Sequence, residues 1–355
     1  MQLSNFTELF DVPDLPAPAT PKIIEDYTLQ TQVHTEALKS QNPQNRGYRD
    51  GLIASNSKDY FKALEFYQQF KDNFEFSKYN LFIKCRTSAY FARQKSTGKV
   101  SIIANSCHQR WCPFCSKSKT NIIRKNVREW LKKVNHPKFL TFTLKHSNKD
   151  LSEQIDILYA SFKQLRRINL FKKNAQSGVW FFQIVKSKTD NLWHPHLHVI
   201  TGGGYIPRRE LSREWLRITG ESFVVDIRAI NNPATASDYV ARYASKTCNP
   251  SAFCIDELNE IDRAIKKHRV CGSWGSAKKA KLTIPPKMDR GDWQMLGKFS
   301  TILGLLKHDE RAKQIFEAYK SGSTLNDGIN VCDFDAIRKG EPPPDNSDYE
   351  IEYEY

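Results

Sequence analysis

Between Phe139 and Ile230 the chain runs through short apolar–polar alternations separated by two helical stretches, and their order confines the fold to few solutions. Phe139–Leu144 (Phe-Leu-Thr-Phe-Thr-Leu) has the two-residue period of a strand. Leu151–Leu165 places apolar residues at 151, 155, 158, 162 and 165, the spacing of one helix face. Val179–Val185 and Pro195–Thr201 read as consecutive strands that pair as a hairpin, and Gly202-Gly203-Gly204 then breaks the chain. Leu211–Ile218 reads as a short helix and Phe223–Ile230 as a last strand. The order β-α-β-β-α-β predicts an α+β fold of the split βαβ (ferredoxin-like) kind, with four antiparallel strands and both helices on one face. The other face is expected to be free to carry a site.

The fourth of these segments contains such a site in outline. Residues 194–199 read His-Pro-His-Leu-His-Val. Alternate residues of a strand share a face, so His194, His196 and His198 point the same way. Imidazole is the commonest protein metal ligand, and converging rings suit a divalent ion.

Upstream lies a different kind of cluster. Cys85 precedes Cys107-x4-Cys112-Pro-Phe-Cys115, and the tight Cys-x2-Cys turn favours a structural zinc site of four thiolates, with His108 as a possible substitute. From Lys84 to Lys138 there are fourteen Lys or Arg against one acidic residue, Glu129, within a net charge of +15 for the chain. Because Trp111, Phe114 and Trp130 are interleaved with this charge, the block is expected to fold rather than trail. A folded basic surface suits nucleic acid, and Arg110, Lys117, Lys119, Arg124, Lys125, Arg128 and, further on, Arg242 are the candidate DNA contacts. Ile122, Ile123, Val127, Trp130, Leu131 and Val134 mark the apolar side of a helix whose other side is basic.

After the last predicted strand, Pro233 suits a first helical turn, and Thr235 with Asp238 fits a capping box. On the helix that follows, Tyr239, Tyr243 and Lys246 fall on one stripe. His-Pro-His-Leu-His-Val resembles the His-hydrophobe-His motif of the HUH endonucleases. Tyr-Val-Ala-Arg-Tyr-Ala-Ser-Lys resembles the Tyr-x3-Tyr-x2-Lys motif of rolling-circle replication initiators of plasmids and phages. Phe139-Leu-Thr-Phe-Thr-Leu is similar to the first motif of that family, and the cysteine block resembles one that precedes the catalytic domain in many plasmid replication proteins. The resemblance covers roughly residues 85–250.

It implies a ferredoxin-like HUH nuclease domain in which His196 and His198 bind Mg2+ or Mn2+. Tyr243 would be the nucleophile that nicks single-stranded origin DNA, leaving a 5′-phosphotyrosine link and a 3′-hydroxyl primer. Lys246 would assist the phenol, and Tyr239, standing where many plasmid relatives have glutamate, would make a second cleavage. The third metal ligand of the family falls at Gln183, with His194 in reserve. A host helicase and polymerase are the implied partners.

The expected divisions are an N-terminal arm with one helix (1–75), a Cys-rich basic zinc module (76–138), the nuclease domain (139–250), a helical region (251–340) and a disordered acidic tail (341–355). Helices are expected at 257–269, 291–307 and 309–320, and the tail holds six acidic residues and no basic one. There is no run of about eighteen apolar residues to span a membrane, and Glu8, Asp11 and Asp14 stand where a secretory signal would be basic. A cytoplasmic protein is therefore expected, its oligomeric state open. The rival readings are an HUH transposase or relaxase, a metallohydrolase, and a non-catalytic zinc-containing DNA-binding protein. The metallohydrolase fits less well, because Val199-Ile200-Thr201 follows where such a motif continues with Asp-His.

Overall fold

A computed structural model describes residues 48–187, 189–231, 249–285, 290–325 and 349–351. Three helices lead, α1 (Tyr48–Ser55), α2 (Ser57–Gln68) and α3 (Phe76–Lys84), followed by the hairpin β1 (Ala89–Gln94) and β2 (Val100–Asn105) and the long helix α4 (Pro113–Leu131). Next come β3 (Lys138–Thr143), α5 (Leu151–Leu165), α6 (Asn169–Asn174), β4 (Ser177–Lys186), β5 (Trp193–Gly202), α7 (Arg208–Thr219) and β6 (Val225–Ala229). The described chain ends with α8 (Ile255–Ala264), β7 (Cys271–Trp274), β8 (Trp293–Lys298), α9 (Phe299–Leu305), α10 (Glu310–Ser321) and β9 (Tyr349–Ile351).

The strands form two antiparallel sheets, β6-β3-β5-β4-β7 and β8-β1-β2-β9. In the larger sheet α5 and α7 share one face, where Ile155, Leu158, Phe162, Leu211 and Trp215 join Leu140, Phe142, Phe182, Leu197 and Val199 in one buried cluster. Trp215 also donates from its indole to the Thr143 carbonyl at 2.8 Å, which fixes α7 on the strand end. The Gly202–Gly204 break is steric as well as flexible. Gly203 has φ of +127°, and a Cβ there would lie 2.6 Å from the Asn174 carbonyl oxygen.

The opposite face departs from the expectation that it is free. Ile123, Val127, Trp130 and Leu131 of α4 pack on Phe139, Val179, Phe181 and Ile200. The apolar stripe that the sequence shows on α4 needs a partner, and half of this sheet face supplies it. The histidines of β5 occupy the other half.

Residues 1–75 were expected to form a flexible arm with one helix, and 1–47 lie outside the described residues. The rest of that segment contains α1 and α2, and with α3 it is packed: Tyr60, Phe66, Tyr67 and Phe82 share the core with Trp111 and Phe114 of the cysteine block. The helix expected at 291–307 is a strand in its first half. Trp293 and Met295 face Ala92 and Ile103, while Leu296 faces Phe91, so burial on both sides imitates the apolar density of a helix. β7 is a further strand within the region expected to be helical.

α9 and α10 cover one face of the smaller sheet with Ile302, Ala312 and Ile315, and the Asp309 carboxylate caps α10 by accepting from the amides of Arg311 and Ala312. The acidic tail was expected to be disordered, but Tyr349–Ile351 pairs with the free edge of β2. An unpaired edge offers a row of amide and carbonyl groups, and the alternating Tyr-Glu-Ile segment satisfies it.

Candidate active site and metal centre

The four cysteines of the basic block converge. Cys85 ends α3, Cys107 precedes the knuckle, Cys112 caps α4 and Cys115 lies in its first turn. All four are buried, their sulfurs lie within 4.8 Å of one another, and none is in a disulfide. Sulfur separations from Cys115 to Cys85 and Cys107 are 3.6 Å, and Cys112 to Cys85 is 3.7 Å. Four sulfurs about 2.3 Å from a tetrahedral zinc stand about 3.8 Å apart, so this cage could hold a metal such as zinc almost without rearrangement.

Burial pushes the Cys112 thiol up, so four thiolates here would need a cation to offset their charge. The protein around the cage is specific to it. The buried Arg49 guanidinium donates to the carbonyls of Phe82, Ile83 and Cys85, the last at 2.6 Å, and to the Tyr60 hydroxyl at 2.9 Å. Trp111 donates from its amide to the Tyr67 hydroxyl at 3.2 Å and from its indole to Asp262 of α8 at 3.1 Å. The cage therefore sets where α4 begins, and α4 sets which half of the sheet face stays open.

On that open half, register brings the polar residues into a row. β5 pairs His196 with Thr143 of β3 and Gln183 of β4, and His198 with Thr141. Gln183, His196 and His198 are 5%, 9% and 6% exposed, so each must be hydrogen-bonded to offset desolvation. His198 meets the Gln183 side-chain oxygen Oε1 through Nε2 at 2.7 Å and Thr141 Oγ1 through Nδ1 at 3.2 Å, and Phe139 stacks on its ring at 5.6 Å. His196 uses Nδ1 on the His194 carbonyl at 3.0 Å. In both rings Nδ1 is engaged by the protein, the arrangement that orients Nε2 of metal-ligating histidines. Their centroids are 5.0 Å apart.

Two residues that motif reading did not single out extend the row. His146, in the loop after β3, lies 4.5 Å from the His194 ring, and its Nδ1 meets Asp190 of the β4–β5 turn at 2.8 Å. Ser187, His146 and the Leu192 amide hold Asp190 well below the usual carboxylate range. Burial pushes His194 below the ordinary imidazole pKa, and the nearby His146 adds to this. Only tertiary structure joins these two loops; the sequence signal was a lone histidine and a turn aspartate.

Among the described residues the cysteine cage is the one group of three or more His, Cys, Asp or Glu whose donor atoms all lie within 4.8 Å. The histidine row does not form such a group. Tyr239, Arg242, Tyr243 and Lys246 lie outside the described residues. Of the expected DNA contacts, Lys117 and Lys119 are exposed on α4, whereas Arg110, Arg124, Lys125 and Arg128 are half-buried, and the last three interact within the protein.

No described helix is long and apolar enough to cross a membrane. No curated protein and no solved structure matches the chain. A family model does: the Rep_1 model, described as "Replication protein", matches residues 99–296, from the second strand of the small sheet through the cysteine cage and the histidine strand to β8. That span exceeds half of the chain and contains the histidine strand and three of the four cage cysteines, Cys85 lying before it, and the chain belongs to this family of rolling-circle replication proteins.

Proposed function

We propose that the chain is an initiator that nicks and rejoins single-stranded origin DNA at the open half of the large sheet. The observation that carries this reading is the His196–His198–Gln183 arrangement, in which the protein engages both Nδ1 atoms and His198 Nε2 and the Gln183 side-chain oxygen converge to 2.7 Å. Cis ligands about 2.1 Å from an octahedral ion stand about 3 Å apart, close to the 2.7 Å between His198 Nε2 and the Gln183 oxygen. Gln183 thus fits as third ligand, His194 being turned toward His146, and two imidazoles with an amide oxygen suit Mn2+ or Mg2+. A bound divalent ion would supply Lewis-acid polarisation of the scissile phosphate. Zinc in the cysteine cage is structural in this account.

The strand order β6-β3-β5-β4, with crossovers through α5 and α7, supports a ferredoxin-like HUH domain. Tyr243 is the nucleophile by its place in the motif. Its phenol oxygen bonds to phosphorus, the bond from phosphorus to the 3′-oxygen breaks, and that oxygen leaves as a hydroxyl to prime synthesis. Phenol ionises near pH 10, so Lys246, three residues on in the motif, stabilises the phenolate or the phosphate. Tyr239 serves the second cleavage. A host helicase and polymerase would then use the primer, which places the work in the cytoplasm.

The test incubates the protein and Mn2+ with tiled single-stranded oligonucleotides from the replicon that encodes it, then resolves the products in SDS. The expected result is a protein–DNA adduct on one oligonucleotide, lost in Tyr243→Phe and retained in Tyr239→Phe. No adduct with any oligonucleotide and any divalent ion would refute the nicking reaction.

A further inference from the structure

The helix layer of the large sheet, on the side away from the histidines, carries a second basic surface that the nicking chemistry does not use. From Lys163 to Lys173, across the end of α5 and into α6, there are five Lys or Arg and no acidic residue. Helix α7 adds Arg208, Arg209, Arg213 and Arg217 against Glu210 and Glu214. Nine cations thus stand against two carboxylates. α7 buries Leu211 and Trp215 against the sheet, and Arg209, Arg213 and Arg217, four residues apart, are exposed along its outer side. Their backbone positions succeed one another at about 6 Å along the axis. A cleft lined by Arg167, Ile168, Asn169, Leu170, Glu214 and Arg217 joins this stripe to the α5–α6 segment, so the two runs of charge form one surface.

A helix face of mixed charge is ordinarily just solvated, but this one is not mixed. Like charges at four-residue spacing destabilise a helix, yet only Arg217 has a carboxylate partner, Glu214 at 2.7 Å. Arg167, Arg209 and Arg213 form no ion pair with a described residue. Arg166 is a cation held without a counter-ion. Its guanidinium lies 5.2 Å from the Phe162 ring and 5.8 Å from that of Trp274, and its Nε is buried with no hydrogen-bond partner among the described residues. Burial and the neighbouring Arg167 push its pKa down, a cost that a bound anion would offset. The surface also lacks what other partners need. Phe162, Phe171 and Trp215 are buried, which leaves no exposed ring on these helices to stack the bases of a single strand. Leu216, 38% exposed, is the one large apolar side chain that α7 exposes, too little for the apolar centre of a protein interface. What remains is a row of guanidinium groups, whose planar donors match phosphate oxygens.

We infer that α7 and the α5–α6 segment bind the phosphate backbone of duplex DNA on the face opposite the histidines. This surface goes beyond the nicking reaction and does not depend on it. The experiment measures the affinity of the full-length protein for a fluorescent 30-base-pair duplex and for a 15-nucleotide thymidine oligomer, over a range of salt. Arg209→Gln and Arg213→Gln are each expected to lower the slope of log duplex affinity against log salt by about 0.9, and together by about 1.8. Thymidine binding is expected to keep its native slope in both variants, and Arg213→Lys, which keeps the charge, to keep the native duplex slope. An unchanged duplex slope in the double variant overturns the inference and leaves the duplex to α4. A matching loss on the thymidine oligomer overturns it too, since the surface would then not be a duplex surface. Covalent adduct formation is measured on the same preparations. A native adduct with an unchanged duplex slope in the double variant removes this surface alone, and a lowered duplex slope with no adduct from the native protein upholds the surface while removing the nicking reaction.

Discussion

The cysteine cage, which could hold a metal such as zinc, and the histidine row, proposed to hold a divalent ion, are built on opposite plans. The cysteine cage is closed: four sulfurs at 3.6–3.7 Å, all buried, with a carbonyl of one ligand gripped by Arg49. The histidine row is open: two oriented imidazoles and an amide oxygen on a sheet face that α4 covers only in part. A closed tetrahedral set stabilises the fold, whereas an open set leaves positions for substrate. The two are mechanically linked, because the cage fixes the start of the helix that decides how much of the histidine face stays uncovered.

Breaking the cage should have the largest effect. Cys112→Ser is expected to lose stoichiometric zinc and cooperative thermal unfolding together, because structural zinc contributes on the order of 10 kcal/mol to small sites; retained zinc in metal analysis would contradict the assignment. Breaking the row should separate activity from stability. His196→Ala or His198→Ala is expected to cut adduct yield at least about 1000-fold, the loss of several kcal/mol of phosphate polarisation, while zinc content stays at one per chain. Smaller changes sharpen the picture. Gln183→Ala should weaken Mn2+ binding and Gln183→Glu tighten it, each about tenfold, since a carboxylate binds a hard cation better than an amide. Thr141→Val, which frees His198 Nδ1, should weaken Mn2+ about tenfold through misorientation of the ring. His194→Ala should change Mn2+ affinity by no more than about twofold, and a loss matching His196→Ala would restore it as a ligand.

The alternation of Phe139–Thr143 and of the histidine strand was legible because each has one apolar face and one polar face, and their register then placed Gln183 beside the histidines. The hairpin β1–β2 was not legible. Its residues are buried on both faces, so no alternation survives, and its partners β8 (Trp293–Lys298) and β9 (Tyr349–Ile351) lie far along the sequence from it. β8 was taken as helix for the same reason. The half-covered sheet face escaped notice because an amphipathic stripe on α4 tells that it packs, not on what. Thr141, His146 and Asp190 gain their roles only through contacts that two loops and a strand register create.

Mn2+ titration followed by electron paramagnetic resonance, on protein dialysed against a chelator, tests the contrast between the two sites most directly. The native protein is expected to retain one zinc and to take up one Mn2+, and His198→Ala to retain the zinc but take up no Mn2+. Equal Mn2+ uptake by both proteins would contradict the account, because the open site would then lie elsewhere than the histidine strand.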